Sequence, residues 1–156
     1  MDITVNVEDY VLNVRASGIL IHDNKILLHK NINEEHYALI GGRVAIGETS
    51  EQALKREIIE EMGKEIEVIE GLTTIENFFE VKGSKYYEIL FVHKIEFKDE
   101  EDKKILETIK NIEGKDYLKY EWIDIEQIDK YLLKPKVIKD MLKNKKFTVY
   151  KYNKDN

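Results

Sequence analysis

Three glutamates stand out by their spacing. Glu57, Glu60 and Glu61 occur at i, i+3 and i+4. On a helix turning about 100° per residue they leave from one face, Glu60 about 60° to one side of Glu57 and Glu61 about 40° to the other. Like charges so placed repel, at about 0.2–0.5 kcal/mol per pair on a solvated helix and at much more where the face is partly enclosed. A hard divalent cation relieves that repulsion. An oxygen-only donor set, with no His or Cys nearby, favours Mg²⁺ or Mn²⁺ over zinc. The same acids also suit a solvated helix face with Lys55 and Arg56 as casual partners, so the surrounding residues decide.

Those residues form a pattern. Gly41-Gly42 permits a backbone approach that a side chain would block. Five residues separate Gly42 from Glu48 and seven separate Glu48 from Arg56, which leads directly into Glu57, Ile58, Glu60, Glu61 and Gly63. This stretch, GRVAIGETSEQALKREIIEEMGK, resembles the Nudix box, G-x5-E-x7-R-E-U-x-E-E-x-G-U, where U is a bulky aliphatic residue. The one departure is Lys64 at the final aliphatic position, a place that usually packs rather than reacts.

The resemblance implies a protein that hydrolyses a nucleoside diphosphate linked to another group, with Mg²⁺ or Mn²⁺. Carried over by position, Glu57, Glu60 and Glu61 are metal ligands, Arg56 pairs with Glu48 to hold the loop against the helix, and Gly41 and Gly42 shape the metal–phosphate site. The general base stays open between Glu60 or Glu61, an acid of the 98–116 loop, and Glu88. Family members acting on dinucleoside polyphosphates or ADP-ribose often carry a tyrosine or a proline, respectively, about sixteen residues past the box. Glu80 and its neighbours stand there instead, which shifts the expectation to nucleoside triphosphates or nucleotide sugars. The isopentenyl-diphosphate isomerase branch uses a cysteine, and the chain has none. The rival readings are a non-catalytic nucleotide sensor on the same fold and a hydrolase of RNA 5′ ends.

These side chains need elements to position them. Thr49 with Gln52 fits a capping box opening a helix, and Leu54, Ile58, Ile59 and Met62 recur at helical spacing until Gly63 closes it. Ile58 and Met62 are expected to face a sheet, while Ala53 falls inside the acidic arc, where a small side chain leaves the carboxylates accessible. Val11 to Ile21 and Lys25 to Lys30 flank Asp23-Asn24 as a hairpin, and Tyr37 to Ile40 is a strand running into Gly41-Gly42. Ile66 to Ile69 and Thr73 to Val81 precede a turn with Gly83-Ser84 at its centre, and Tyr86 to Phe97 returns. Residues 98–115 read as a long loop, Tyr120 to Ile123 as a final strand, and Ile125 to Leu133 as a short helix. Pro135 opens a last helix with Val137, Ile138, Met141 and Leu142 inside. The order predicts an α/β fold, an α/β/α sandwich with a mixed sheet.

At 156 residues the chain has the size of a single domain, residues 1–156, and its 42% hydrophobic content supports a core. With no cysteine, disulfides, zinc–thiolate sites and cysteine nucleophiles are excluded, and a reducing cytoplasm suits it. Met1 to Asp9 is polar and acidic and reads as lacking a secretory signal, and no apolar run reaches the roughly 20 residues of a spanning helix. A net charge of −6 disfavours non-specific binding to nucleic acid or an anionic membrane. From Lys134 on, eight lysines face two aspartates, and residues 144–156 read as a lysine-rich frayed tail. The expected partner is a small nucleotide or related phosphoanhydride, with the chain a monomer or homodimer. Arg15, Tyr37, Phe78 and Phe79 are candidate substrate contacts, Arg15 by charge or else in a cross-strand ion pair, the rings by stacking on a base. His22, His29, His36 and His93 lack ligand spacing, and Trp122 reads as core.

Overall fold

A computed structural model describes residues 1–104 and 109–155. The strands are β1 (Thr4–Val7), β2 (Tyr10–His22), β3 (Lys25–Asn31), β4 (Tyr37–Arg43), β5 (Ile66–Val81), β6 (Ser84–Phe97), β7 (Leu118–Asp124), β8 (Leu133–Lys134) and β9 (Tyr150–Lys154). The helices are α1 (Ser50–Met62), α2 (Glu100–Lys104) and α3 (Lys136–Asn144), with a 3-10 turn over Ile125–Lys130. The strands form one mixed sheet ordered β7-β3-β4-β2-β6-β5-β9, with β1 added to β2 and β8 to β4. Among the described residues no helix is long and apolar enough to cross a membrane.

The sheet is centred on a long parallel ladder between β2 and β6, from Tyr10↔Lys85 to Leu20↔Ile95. On the other side of β2, β4 runs antiparallel and sets Gly41 opposite Ser17 and Gly42 opposite Ala16. The β2–β3 turn forms because Asp23 and Asn24 both accept the left-handed backbone (φ 49° and 60°) that tight hairpins require. The β5–β6 turn is centred one residue earlier than expected, on Lys82-Gly83 (φ 49° and 83°), because Ser84 already pairs with Val81. The two segments read as Ile66–Ile69 and Thr73–Val81 are one strand, its pairing broken by irregularities between Val68 and Glu70 and between Gly71 and Thr73.

Each sheet face buries its own core. Leu54, Ile58 and Met62 of α1 pack on Ala16, Leu20, Leu27, Ile40, Ile95 and Phe97. On the opposite face Ile138, Met141 and Leu142 of α3 pack on Ile19, Leu28, Ile75, Leu90, Val92 and Ile123. The helices therefore lie on both faces, as the predicted α/β/α sandwich requires. Two positions on α1 differ from expectation: Ile59 is exposed, and Ala53 is fully buried in the core rather than set among accessible carboxylates. A small residue there lets the start of α1 lie close on the sheet.

The C-terminal part departs most from the sequence reading. The 98–115 segment opens with α2, Ile125–Lys130 is a 3-10 turn, and β7 is not the last strand. Instead of fraying, Tyr150–Lys154 runs parallel to Thr74–Phe78 and closes that edge of the sheet. Residues 105–108 of the long loop lie outside the described residues.

Candidate active site

The capping box predicted for α1 is present: Gln52 N–H donates to Thr49 Oγ1 at 3.1 Å and Thr49 N–H donates to Gln52 Oε1 at 2.9 Å. Gly63 ends the helix in the left-handed conformation, φ 68°. With both ends pinned, the acidic face is held against the end of β4.

Arg56 organises that face. Its Nε and Nη2 donate to the two oxygens of Glu48 at 3.1 and 2.5 Å, a bidentate pair, and Nη2 also reaches the Arg43 carbonyl at 3.0 Å. The Ala45 N–H donates to Glu48 at 2.7 Å. The Glu48–Arg56 pair thus fastens the β4–α1 loop to the helix, and the guanidinium holds the Glu48 carboxyl below its ordinary pKa. Arg56 Nη1 is shared between Glu57 at 2.9 Å and Glu60 at 3.2 Å.

The three acids of the triad have three environments. Glu60 is exposed, Glu57 is largely enclosed, and Glu61 is buried at 4% exposure. Burial raises the Glu57 pKa, opposed by Arg56 and reinforced by Glu61 and Glu60. Gly42 makes room for Glu57: a Cβ there would lie 2.2 Å from Glu57 Cδ. Gly41 answers a different demand, with φ 147° and a Cβ position 2.1 Å from the Ala16 carbonyl oxygen.

Glu61 meets partners that sequence reasoning missed. Lys115 Nζ lies 3.3 Å from Glu61 Oε1 and Tyr120 OH 3.5 Å from Oε2. Burial pushes the Tyr120 hydroxyl up to about 12. The Ile112 N–H donates to the Glu61 carbonyl at 2.8 Å, drawing the loop onto the helix end. An acid of that loop is one of the candidate bases; among the described residues the loop side chain that reaches Glu61 is Lys115.

Beside Glu61 opens a cleft of about 370 Å³. Arg15, Gly41, Phe79 and Glu88 line it, while Tyr37 and Phe78 do not. Tyr37 belongs to the core: it is buried, sits edge-on to Tyr131, and donates to Glu121 at 2.6 Å; burial, and then that bond, raise its hydroxyl to about 12. Phe78 directly precedes Phe79 on the alternating strand, so it leaves from the other face of β5 and stacks on Tyr87 at 4.7 Å. Arg15 makes only long contacts, to Ser17 Oγ at 3.4 Å and the Leu39 carbonyl at 3.5 Å. Among the described residues no carboxylate pairs with it, so the cross-strand ion pair is not formed. Glu88 is buried, at 7% exposure.

The NUDIX domain model matches residues 12–144. The chain belongs to the Nudix family. A 53-residue stretch, 32% of this chain, is 51% identical to the ADP-ribose pyrophosphatase of Methanocaldococcus jannaschii and covers 31% of it. The match thus spans about a third of that relative's length. Among solved structures, a NUDIX hydrolase from Nitrosomonas europaea aligns over 92% of this chain and 79% of its own, with TM-score 0.65 and 14% identity. The MutT protein of Methanosarcina mazei Go1 aligns over 89% and 95%, with TM-score 0.60 and 18% identity. At such identities the likeness is one of fold.

The Nudix box residues suit a divalent cation by chemistry. All the nearby donors are oxygens, which hard cations select, and a glycine at 42 keeps the Glu57 carboxylate seated at the helix–β4 junction. Among the described residues no three acidic or histidine side chains already converge as a cage. The reason is visible: Arg56 spans Glu57 and Glu60, and Lys115 holds Glu61.

Proposed function

We propose that the chain is a Mg²⁺- or Mn²⁺-dependent Nudix pyrophosphohydrolase. It cleaves a phosphoanhydride bond in a nucleoside diphosphate linked to another group, of the nucleoside triphosphate or nucleotide-sugar class. The observation that carries the reading is that Glu61, the buried member of the glutamate triad, lines one cleft together with Gly41 and Arg15. Glu57, Glu60 and Glu61 would hold the cation, which neutralises phosphate charge and acidifies a bound water when present.

The remaining work falls to this chain's own groups. Gly41 leaves the cleft wall free of a side chain where the phosphates approach. Arg15 and Lys115 supply positive charge along the cleft, and Arg15 has no competing carboxylate among the described residues. Arg56 is a positioning residue, fixing the loop through Glu48 and orienting Glu57 through Nη1.

The test is a substrate panel with Mg²⁺, following phosphate, pyrophosphate and nucleoside monophosphate. ADP-ribose belongs in it, because the partial relative acts on ADP-ribose by name and ADP-ribose is itself a nucleoside diphosphate joined to a sugar. Metal-dependent turnover is expected, falling about 10²-fold or more in Glu60→Gln and Glu61→Gln. Equal turnover in variants and parent would sink the site assignment. Tight nucleotide binding without turnover would put a nucleotide-binding module in the enzyme's place.

A further inference from the structure

One corner of the cleft is short of hydrogen-bond donors. Asn77 and Glu88 are paired across β5 and β6, are 6% and 7% exposed, and both line the cleft. The Glu88 carboxylate accepts one long bond, 3.3 Å from Asn77 Nδ2. Asn77 Oδ1 is already used, accepting from Asn153 Nδ2 at 3.0 Å. Asn13, opposite Glu88 on β2, is 5% exposed, and its Oδ1 is enclosed without a partner. Among the described residues no cation pairs with Glu88.

An ionised carboxylate only accepts hydrogen bonds, and an enclosed one left with a single weak donor is costly. The corner therefore calls for donors from outside the chain. A phosphate cannot supply them, being itself an anionic acceptor. The cationic stretch lies further along: from Asn13 past Arg15 to Ser17, which pairs with Gly41, β2 advances four residues, about 13 Å. That separation leaves a neutral, donor-bearing group at the Asn77–Glu88 corner while its phosphates lie toward Gly41 and Glu61. Phe79, two residues beyond Asn77 and on the same face of β5, lines the cleft as well.

We infer that Asn77 and Glu88 form a specificity subsite that reads two adjacent hydrogen-bond donors on the neutral group carried by the phosphates. The inference rests on the hydrolase reading for the phosphate end and concerns the opposite end of the same cleft. Two chemical sources present such a pair. One is the edge of a guanine base, with its ring N–H beside an exocyclic amino group. The other is the vicinal diol of a ribose. An adenine edge sets an acceptor beside its donor, and a carboxylate repels that acceptor.

Binding to the full chain in the presence of Mg²⁺ separates these sources without requiring turnover. The probes are GDP, IDP (no amino group), ADP, and the 2′,3′-dideoxy form of GDP. Loss of one recognised donor is expected to weaken binding about 10- to 100-fold: for IDP and ADP if the base is read, for the dideoxy form if the diol is. Glu88→Gln, which replaces one acceptor by a donor, should abolish that discrimination. It should raise KM for the nucleotide that is hydrolysed while changing kcat less than about threefold.

Wild-type affinities equal within about twofold across the four probes, or no binding of any, would overturn the subsite. So would discrimination that survives in Glu88→Gln. Should that variant misfold, the probe series on the wild-type chain still decides. Discrimination without turnover would remove the hydrolase reading and leave the subsite standing, and turnover without discrimination would do the reverse.

Discussion

Replacing Gly42 by alanine tests the coupling between β4 and the acidic helix quantitatively. The new Cβ would fall 2.2 Å from Glu57 Cδ, 2.4 Å from Oε2 and 2.5 Å from Cγ, far inside the separation at which such atoms attract. All three atoms belong to one side chain, so the clash is relieved by displacing the Glu57 carboxylate rather than the sheet. Overpacking of this kind costs about 1–3 kcal/mol, or about 2–12 °C in Tm for a domain of this size. Glu57→Ala removes every offending atom, so in that background the same glycine substitution should cost close to nothing. Urea unfolding of the four proteins in a double-mutant cycle, with EDTA present, reads a coupling of about 1–3 kcal/mol. Penalties that add to within about 0.5 kcal/mol would refute the contact as the reason for a glycine here. Gly41→Ala is the control, because its Cβ would strike the Ala16 carbonyl oxygen at 2.1 Å and Ser17 Cα at 2.8 Å. Those are backbone atoms, so truncating Glu57 should not rescue it.

Two further outcomes follow from buried charge. His29 is held neutral, its pKa pushed down to about 3 chiefly by burial and then by Arg15 and Lys115. The unfolded chain, near 6.5, binds that proton first, so His29's contribution is complete above about pH 6.5 and is lost as the pH falls toward 3. Between pH 7 and 5 the loss reaches about 1–2 kcal/mol; His29→Gln should flatten the acid limb of a Tm-against-pH curve, and an unchanged limb would contradict the assignment. Lys115→Met removes the cation beside the buried Glu61 and, with Lys115 about a third exposed, should cost the metal-free protein about 1–2 kcal/mol. Saturating Mg²⁺ should shrink that cost, and an equal cost with and without the cation would argue against Glu61 as a ligand.

What the sequence makes legible here is what is local. The capping box, Gly63 and the Glu48–Arg56 pair all close within 23 residues; spacing implies the first two, and the family resemblance implies the third. The buried partners of Glu61 are not local: Lys115 and Tyr120 lie 54 and 59 residues away. A lysine in a patternless loop carries no signal of what it meets. Long-range pairing likewise hides the fate of the basic end, since β9 has exposed tyrosines and lysines and acquires its place only against Thr74–Phe78. Strand alternation separates Phe79 from Phe78, but which face carries the cleft depends on how α1 and α3 divide the sheet. Tyr37 illustrates the same limit: its ring reads equally as core or as base-stacking until Glu121, on a strand two neighbours away, claims its hydroxyl.

The charge balance of the box gives the geometry its chemical sense. Glu48, Glu57, Glu60 and Glu61 bring four carboxylates to the helix, and the cations that meet them are Arg56 and Lys115. Arg56 alone touches three of the four, and a guanidinium cannot satisfy three carboxylates at full strength. Its bidentate bond is with Glu48, while Glu57 and Glu60 share the single remaining nitrogen. A dication arriving at Glu57, Glu60 and Glu61 can therefore displace the weaker half of the arrangement and leave the loop-fastening half intact. The two uncompensated negative charges equal the charge of that one cation. Arginine suits this division better than lysine: its planar fork grips Glu48 with two nitrogens and still offers a third to the face where the cation would bind.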